Sequence, residues 1–190
     1  MKVRITLVGV RPLLMHNSRL ADPLDPRTRA LAVVTKKRAK TETDHEETAH
    51  LEWLGGIYYD DEANRVLFPA QNLSASLKKA GGLSKQGQKI VRGLTMLDDT
   101  YLIYPGPSSL DALWDQRFYL RVAVKNNGAS TVMRTRPLFT EWRAEIEADI
   151  AQDQLDLDEF RAILRVAGEQ IGVGDWRPKY GRFDAEVEVI

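Results

Sequence analysis

The chain has 190 residues, of which 43% are hydrophobic, enough to bury a core and too many for a disordered polymer. Its 27 Lys+Arg balance 27 Asp+Glu, which excludes a uniformly basic nucleic-acid protein but leaves local patches open. With no cysteine, disulfides and cysteine-ligated zinc are excluded, and without an apolar leader or any apolar run of ~18 residues the reading is a soluble cytoplasmic protein.

Val3, Ile5, Leu7 and Val8 within KVRITLVGV fall near period two and predict a first strand. Residues 11–43 hold Pro12, Pro23 and Pro26 and one clear apolar run, Leu31 to Val34, so they read as a functional loop or mobile arm. TDHEETAHLEWLGG predicts a helix with Thr43 or Asp44 as N-cap, acids in its first turn and Gly55-Gly56 at its stop. IYYD and RVLF, around Asp60 to Asn64, form a hairpin pattern. Pro69 opens a helix, PAQNLSASLKKAGG, with Leu73 and Leu77 on one face and glycines at the stop; a short helix over about residues 85–92 follows. Strand-like runs lie near 95–104, 117–125 and 131–136, with Asn126-Asn127-Gly128 as a turn between the last two. WRAEIEADI alternates as a strand with an acidic outer face. DLDEFRAILRVAGEQIG carries a helical stripe at 157, 160, 163, 164, 167 and 171, capped by Asp156 or Asp158, and FDAEVEVI alternates as a last strand.

This order predicts an α+β fold in a single domain over residues 1–190. A ferredoxin-like (RRM-like) split βαβ core fits it: an antiparallel sheet with helices on one face. Its parts are the first strand, the helix near 70–80, the strands near 131–136 and 142–150, the helix near 157–171 and the last strand. Residues 11–43 are then a basic loop or arm insertion, and 84–130 a second insertion region.

The neutral total hides segregation. Residues 26–41 contain Arg27, Arg29, Lys36, Lys37, Arg38 and Lys40 with no acid. Residues 76–92 contain Lys78, Lys79, Lys85, Lys89 and Arg92, again with none, and Arg117, Arg121, Lys125, Arg134 and Arg136 continue through the middle strands. Residues 141–159 instead carry eight acids and one Arg. Such a chain can present one face to a phosphate backbone and an acidic face to a neighbouring protomer.

Few catalytic patterns survive inspection. His45 and His50 are five apart, not the four of a zinc-binding H-E-x-x-H helix. His16, with Asn17 and Ser18, follows the first strand and is either a ligand contact or structural. Asp22 and Asp25 suit metal-assisted cleavage or serve as turn residues beside Pro23 and Pro26. Neither a nucleophile elbow nor a phosphate-loop motif occurs.

The stretch IGVGDWRPKYGRF, residues 171–183, concentrates glycines, cations and aromatics. It is not a dinucleotide fingerprint, because Arg177 stands where the third glycine belongs and the stretch follows a helix. Glycines permit close backbone approach and positive φ; Trp176 and Tyr180 can stack on bases; Arg177, Lys179 and Arg182 can neutralise phosphates. Gly172 is also a natural residue to follow a helix, and Trp176 and Phe183 can belong to the core.

The split βαβ order, the long basic insertion after the first strand and the glycine-rich loop before the last strand resemble the RAMP superfamily. The similarity is to the crRNA-binding backbone subunits of CRISPR effector complexes, in a short stand-alone version of a phage type that carries LMHN, DHEE…LEWLGG, VMRTRP and G-x-G-D-W-R-P-K-Y-G-R-F. The resemblance implies that Gly172, Gly174, Arg177, Lys179 and Gly181 lie against a nucleic-acid backbone and that Lys36 to Lys40 form a projecting thumb-like insertion. It also implies that Asp22 or Asp25 would be the counterpart of a loop aspartate with which some such subunits cleave RNA. The resulting expectation is a non-enzymatic, sequence-independent binder of single-stranded RNA or ssDNA in a bacterial host cytoplasm, self-associating into an oligomer or filament. It needs no cofactor or metal, has no membrane partner, and takes CRISPR-type proteins as further partners. Its binding residues are Lys36, Lys37, Arg38, Lys40, Lys78, Lys79, Arg134, Arg136, Gly172, Gly174, Trp176, Arg177, Lys179, Tyr180 and Arg182. The alternatives are a metal-dependent ribonuclease of the same fold and a phage protein that mimics or replaces a host CRISPR subunit.

Overall fold

The computed structural model describes residues 1–96, 98–126 and 130–190. The chain opens with β1 (Lys2–Gly9), whose odd residues Val3, Ile5 and Leu7 are fully buried while Lys2, Arg4 and Thr6 face outward. A two-residue strand, β2 (Leu13–Leu14), and a 3₁₀ turn, Ser18–Ala21, lead into α1 (Pro26–Thr35). The expected arm is therefore largely structured. Asp25 caps α1 by accepting from the backbone N–H groups of Arg27 and Thr28, with Pro26 at the first helical position. The helix lacks an apolar stripe, burying only Val34, so periodicity could not reveal it.

Helix α2 (Glu42–Gly56) is capped by Thr41, two or three residues before the expected cap, with Thr41 and Asp44 forming a capping box. The hairpin β3 (Tyr59–Asp60) and β4 (Arg65–Phe68) occurs as read, and α3 (Ala70–Leu83) buries Leu73 and Leu77 while running through Gly81 and Gly82. After α4 (Gly87–Gly93) come β5 (Leu94–Thr95), β6 (Thr100–Tyr101), α5 (Leu110–Leu113) and a 3₁₀ turn, Gln116–Phe118. Strands β7 (Tyr119–Asn126) and β8 (Ser130–Phe139) pair antiparallel; Asn127 and Gly128 of the expected turn lie outside the described residues. β9 (Arg143–Ile150) alternates strictly between exposed and buried. Asp156 caps α6 (Leu157–Val166), which ends in a π-turn, Ala167–Ile171, and β10 (Phe183–Val189) closes the chain.

The result is α+β with antiparallel sheets. The main sheet has the order β10-β1-β9-β5, and α3 and α6 pack against each other and cover one face over Val3, Ile5, Leu7, Ala144 and Ile146. The strand near 131–136 is not part of it. β8 is instead the middle strand of a second sheet, β2-β8-β7, and the place expected for it is taken by β5, which pairs through Leu94 and Thr95 with Ile150 and Asp149. The strand-like run near 95–104 is realised as the two short strands β5 and β6; two residues give no readable period that could place β5 beside β9, and through it residues 84–130 contribute a strand to the main sheet. A third sheet joins β3, β4 and β6. No helix among the described residues is long and apolar enough to cross a membrane.

Candidate nucleic-acid interface

The open face of the main sheet is acidic. Glu145, Glu147 and Asp149 on β9 and Asp184, Glu186 and Glu188 on β10 share it with Lys2, Arg4 and Arg143. Lys2 and Arg4 both pair with Glu147, and Arg143 with Glu145, so its cations are already neutralised. A phosphate chain is repelled there, and the cationic surface lies where the β1–β2 connection, β8 and the glycine-rich loop meet.

That loop is shaped by its own chain. Gly172 has φ +76° and its N–H reaches the Ala167 carbonyl, ending the helix. A Cβ on Gly174 would lie 2.3 Å from the Leu14 carbonyl oxygen, and one on Gly181 1.8 Å from that of Val173. These close approaches are to protein backbone: Asp175 N–H bonds Leu14, and Gly181 N–H bonds Pro12. Gly172 and Gly174 thus have structural work inside the protein: buried Gly172 lets the loop close on its own Tyr180 and Gly181 carbonyls, and Gly174 lets it lie against Leu14 of β2.

The side chains then divide. Trp176, at φ +51°, is partly buried and tilted against Tyr180 at 6.2 Å between ring centroids. Arg177 and Lys179 are exposed on either side of a cis Pro178, and the Lys179 ammonium stands 5.6 Å from the Tyr180 ring. Arg182 is fixed by donating from Nε to the Pro178 carbonyl. Together with Arg11 and Pro12, residues Pro178, Lys179, Tyr180 and Arg182 line a concavity that holds three cations, an aromatic ring and no acid. Arg11 was not singled out from the sequence, because only the return of the loop onto residues 10–12 brings it there; Val10 and Arg11 both donate backbone N–H groups to the Arg182 carbonyl.

Arg134 and Arg136 of β8 are held more tightly than free phosphate ligands. Arg134 donates to Glu52 Oε1 at 2.6 Å, and the other oxygen of this buried carboxylate accepts the Thr135 N–H. Arg136 is 9% exposed and pairs with Asp175 of the glycine-rich loop. His16 reaches solvent on the same side but is partly desolvated by the protein around it; that desolvation, and then the positive charge of Arg136, lower its pKa from the ordinary value. Glu52 and Asp175 are the partners that sequence reading missed; nothing in their spacing connects them to β8.

Two further groups stand apart in the chain. Lys36, Lys37, Arg38 and Lys40 are exposed between α1 and α2, but Lys37 is engaged by Asp44, whose carboxyl its hydrogen bond helps to hold at about 2. Lys78 and Lys79 project from α3, on the helical side of the main sheet. Asp25 is occupied as the α1 cap, and Asp22 accepts the Leu24 N–H in a turn. Among the described residues no group of three or more His, Asp or Glu is arranged to hold a metal ion.

No family model matches this sequence, and no curated protein matches it. Among solved structures it is similar to a chain in the cryo-EM structure of a Type III-B Cmr-beta bound to cognate target RNA, with TM-score 0.62 and 12% identity. That likeness covers 100% of this chain but 60% of the other, so this chain spans less than two thirds of its neighbour's length. A second match, the crystal structure of Cmr6 from Pyrococcus furiosus, covers 96% of this chain and 97% of that one at TM-score 0.39 and 10% identity. The resemblance to RAMP-type CRISPR subunits read from the sequence is thus borne out at the level of the fold.

Proposed function

We propose that this protein is a non-enzymatic, sequence-independent binder of single-stranded RNA or ssDNA, built on a ferredoxin-like core. The βαββαβ succession β1, α3, β5, β9, α6, β10 with strand order β10-β1-β9-β5 supports that reading of the core. The observation that carries the binding reading is the acid-free concavity of Arg11, Lys179, Tyr180 and Arg182, set against an open sheet face whose cations are already paired. The Tyr180 ring offers a base-stacking surface and the cations offer phosphate contacts, neither of which reads sequence. The exposed cations Lys36, Arg38, Lys40, Lys78, Lys79 and Arg177 extend the positive surface. The use of Asp25 and Asp22 in local backbone hydrogen bonds favours binding over cleavage. The fold shared with a chain of an RNA-bound assembly supports RNA as the first ligand to try and CRISPR-type proteins as partners, with self-association along the strand.

The test is a fluorescence-anisotropy titration of labelled single-stranded RNA and ssDNA of mixed sequence across a salt series. Log affinity should fall linearly with log salt, and the Arg11→Ala/Lys179→Ala/Arg182→Ala protein should lose about 0.7 of slope per phosphate contact removed. Affinity that persists in high salt, or a triple variant that binds like the parent, overturns the reading. Labelled RNA incubated with Mg²⁺ or Mn²⁺ should stay intact; cleavage that disappears on Asp22→Ala or Asp25→Ala would establish the ribonuclease alternative.

A further inference from the structure

β10 is the end strand of the main sheet, and among the described residues no strand pairs with it on the side away from β1. The orientation of its backbone follows from the ladder. Ile190 N–H bonds the Lys2 carbonyl, and the Arg182 carbonyl accepts from Val10 and Arg11, so even-numbered residues turn their backbone groups toward β1. Odd-numbered Ala185, Val187 and Val189 therefore turn theirs outward. The Val187 carbonyl is touched by Arg161 Nη2 at 3.5 Å, a long and exposed contact. Beside this edge runs a groove lined by Val8, Arg161, Leu164, Arg165, Ala185 and Val187.

The two sides of β10 differ in chemistry. On the open side, Asp184 and Glu186 stand opposite Val8 and Thr6, which bring no positive charge, and Glu188 reaches Arg4 only at 3.9 Å with its side chain 72% exposed. On the other side, Ala185 and Val187 are partly buried beside Leu164 and the aliphatic stems of Arg161 and Arg165. A second copy of β10 is a poor occupant, because antiparallel self-pairing sets acid against acid. A strand with cations at alternate positions answers all three carboxylates, and apolar residues between them fall over Leu164.

We propose that the β10 edge docks an extended segment of a partner protein in which Lys or Arg alternates with apolar residues, adding a strand to the main sheet. The inference is independent of nucleic-acid binding. An acidic edge that merely protects against pairing would look similar at rest, and peptide binding separates the two.

The probe is a capped hexapeptide of alternating lysine and valine added to the intact chain, with amide hydrogen exchange followed by NMR. Protection of the Ala185, Val187 and Val189 amides is the expected result. An alternating glutamate and valine peptide should give none, and neither should the lysine peptide N-methylated at alternate amides, which keeps the charge and loses the donors. Val187→Pro removes an outward N–H without touching the β1 ladder and should weaken the lysine peptide by roughly tenfold or more. Binding without protection of those amides, or equal binding by the N-methylated peptide, would mean charge contact alone and overturn the proposal, as would no binding at all.

Discussion

Arg136 and Asp175 tie the middle strand of the second sheet to the glycine-rich loop, with Nε donating to Oδ2 at 3.0 Å and the two side chains 11% and 24% exposed. Asp175 makes two further bonds: its N–H donates to the Leu14 carbonyl, and its Oδ1 accepts the Trp176 N–H. The pair positions the loop, so Arg136→Ala should cost about 2 kcal/mol of stability by leaving the carboxylate without its partner. Thermal denaturation checks this. An unchanged melting temperature with a large loss of RNA affinity would instead make Arg136 a direct phosphate ligand.

Glycines in this chain differ in what they do, and substitution separates them. Gly181 combines φ +70° with a Cβ position 1.8 Å from the Val173 carbonyl oxygen, so Gly181→Ala should destabilise by about 4 kcal/mol or more. Gly82, in the last turn of α3, would place a Cβ with nothing within 4 Å, and Gly82→Ala should stabilise by about 0.5 to 1 kcal/mol. Denaturant unfolding of the two variants checks both signs.

Much of this arrangement was written in local patterns. The alternation of Trp142, Ala144, Ile146, Ala148 and Ile150 and the stripe from Phe160 to Ile171 both fall on buried positions, because a one-sided burial demand imposes its period directly. Helix α1 was missed because Val34 is its only buried residue and it shows no apolar stripe, although Asp25-Pro26 is a recognisable cap and first-turn pair. The run near 95–104 was legible as strand, but the two residues of β5 carry no period that could place it beside β9. In the site, the cations of the loop were legible as composition, but Arg11, Glu52 and Asp175 acquire their roles from contacts spanning 171, 82 and 39 positions. No local rule predicts such contacts.

The basic segment between α1 and α2 should divide in the same way. Lys37 is bonded to Asp44, which also accepts the Thr41 N–H that starts α2. Asp44 is held down to about 2, so its share of stability is present above about pH 4 and is lost as the pH falls through the folded value. Asp44→Asn should flatten that acid limb of the stability curve and lower the melting temperature at neutral pH. Combined Lys36→Ala, Arg38→Ala and Lys40→Ala should leave stability unchanged while weakening RNA binding and its salt dependence. Circular dichroism melts and anisotropy on the same samples distinguish these effects.

His16 supplies a pH test of where the nucleic acid runs. Burial, and then the charge of Arg136, lower its pKa below the ordinary 6.5, so the free protein holds the ring neutral at pH 7. Because the unfolded chain takes up this proton more readily, stability should decline as pH falls from about 6.5 through the folded value, and His16→Gln should remove that decline. A phosphate chain beside Arg134 and Arg136 adds negative potential at the ring and moves its pKa back upward. Binding then takes up a proton, and affinity should rise as pH falls below about 6.5, by at most about tenfold per pH unit for one proton. His16→Gln should flatten this dependence. An NMR titration of the His16 ring with and without single-stranded RNA reads the shift directly. An unchanged midpoint would place the nucleic acid away from β8 and confine it to the Arg11, Lys179 and Arg182 concavity.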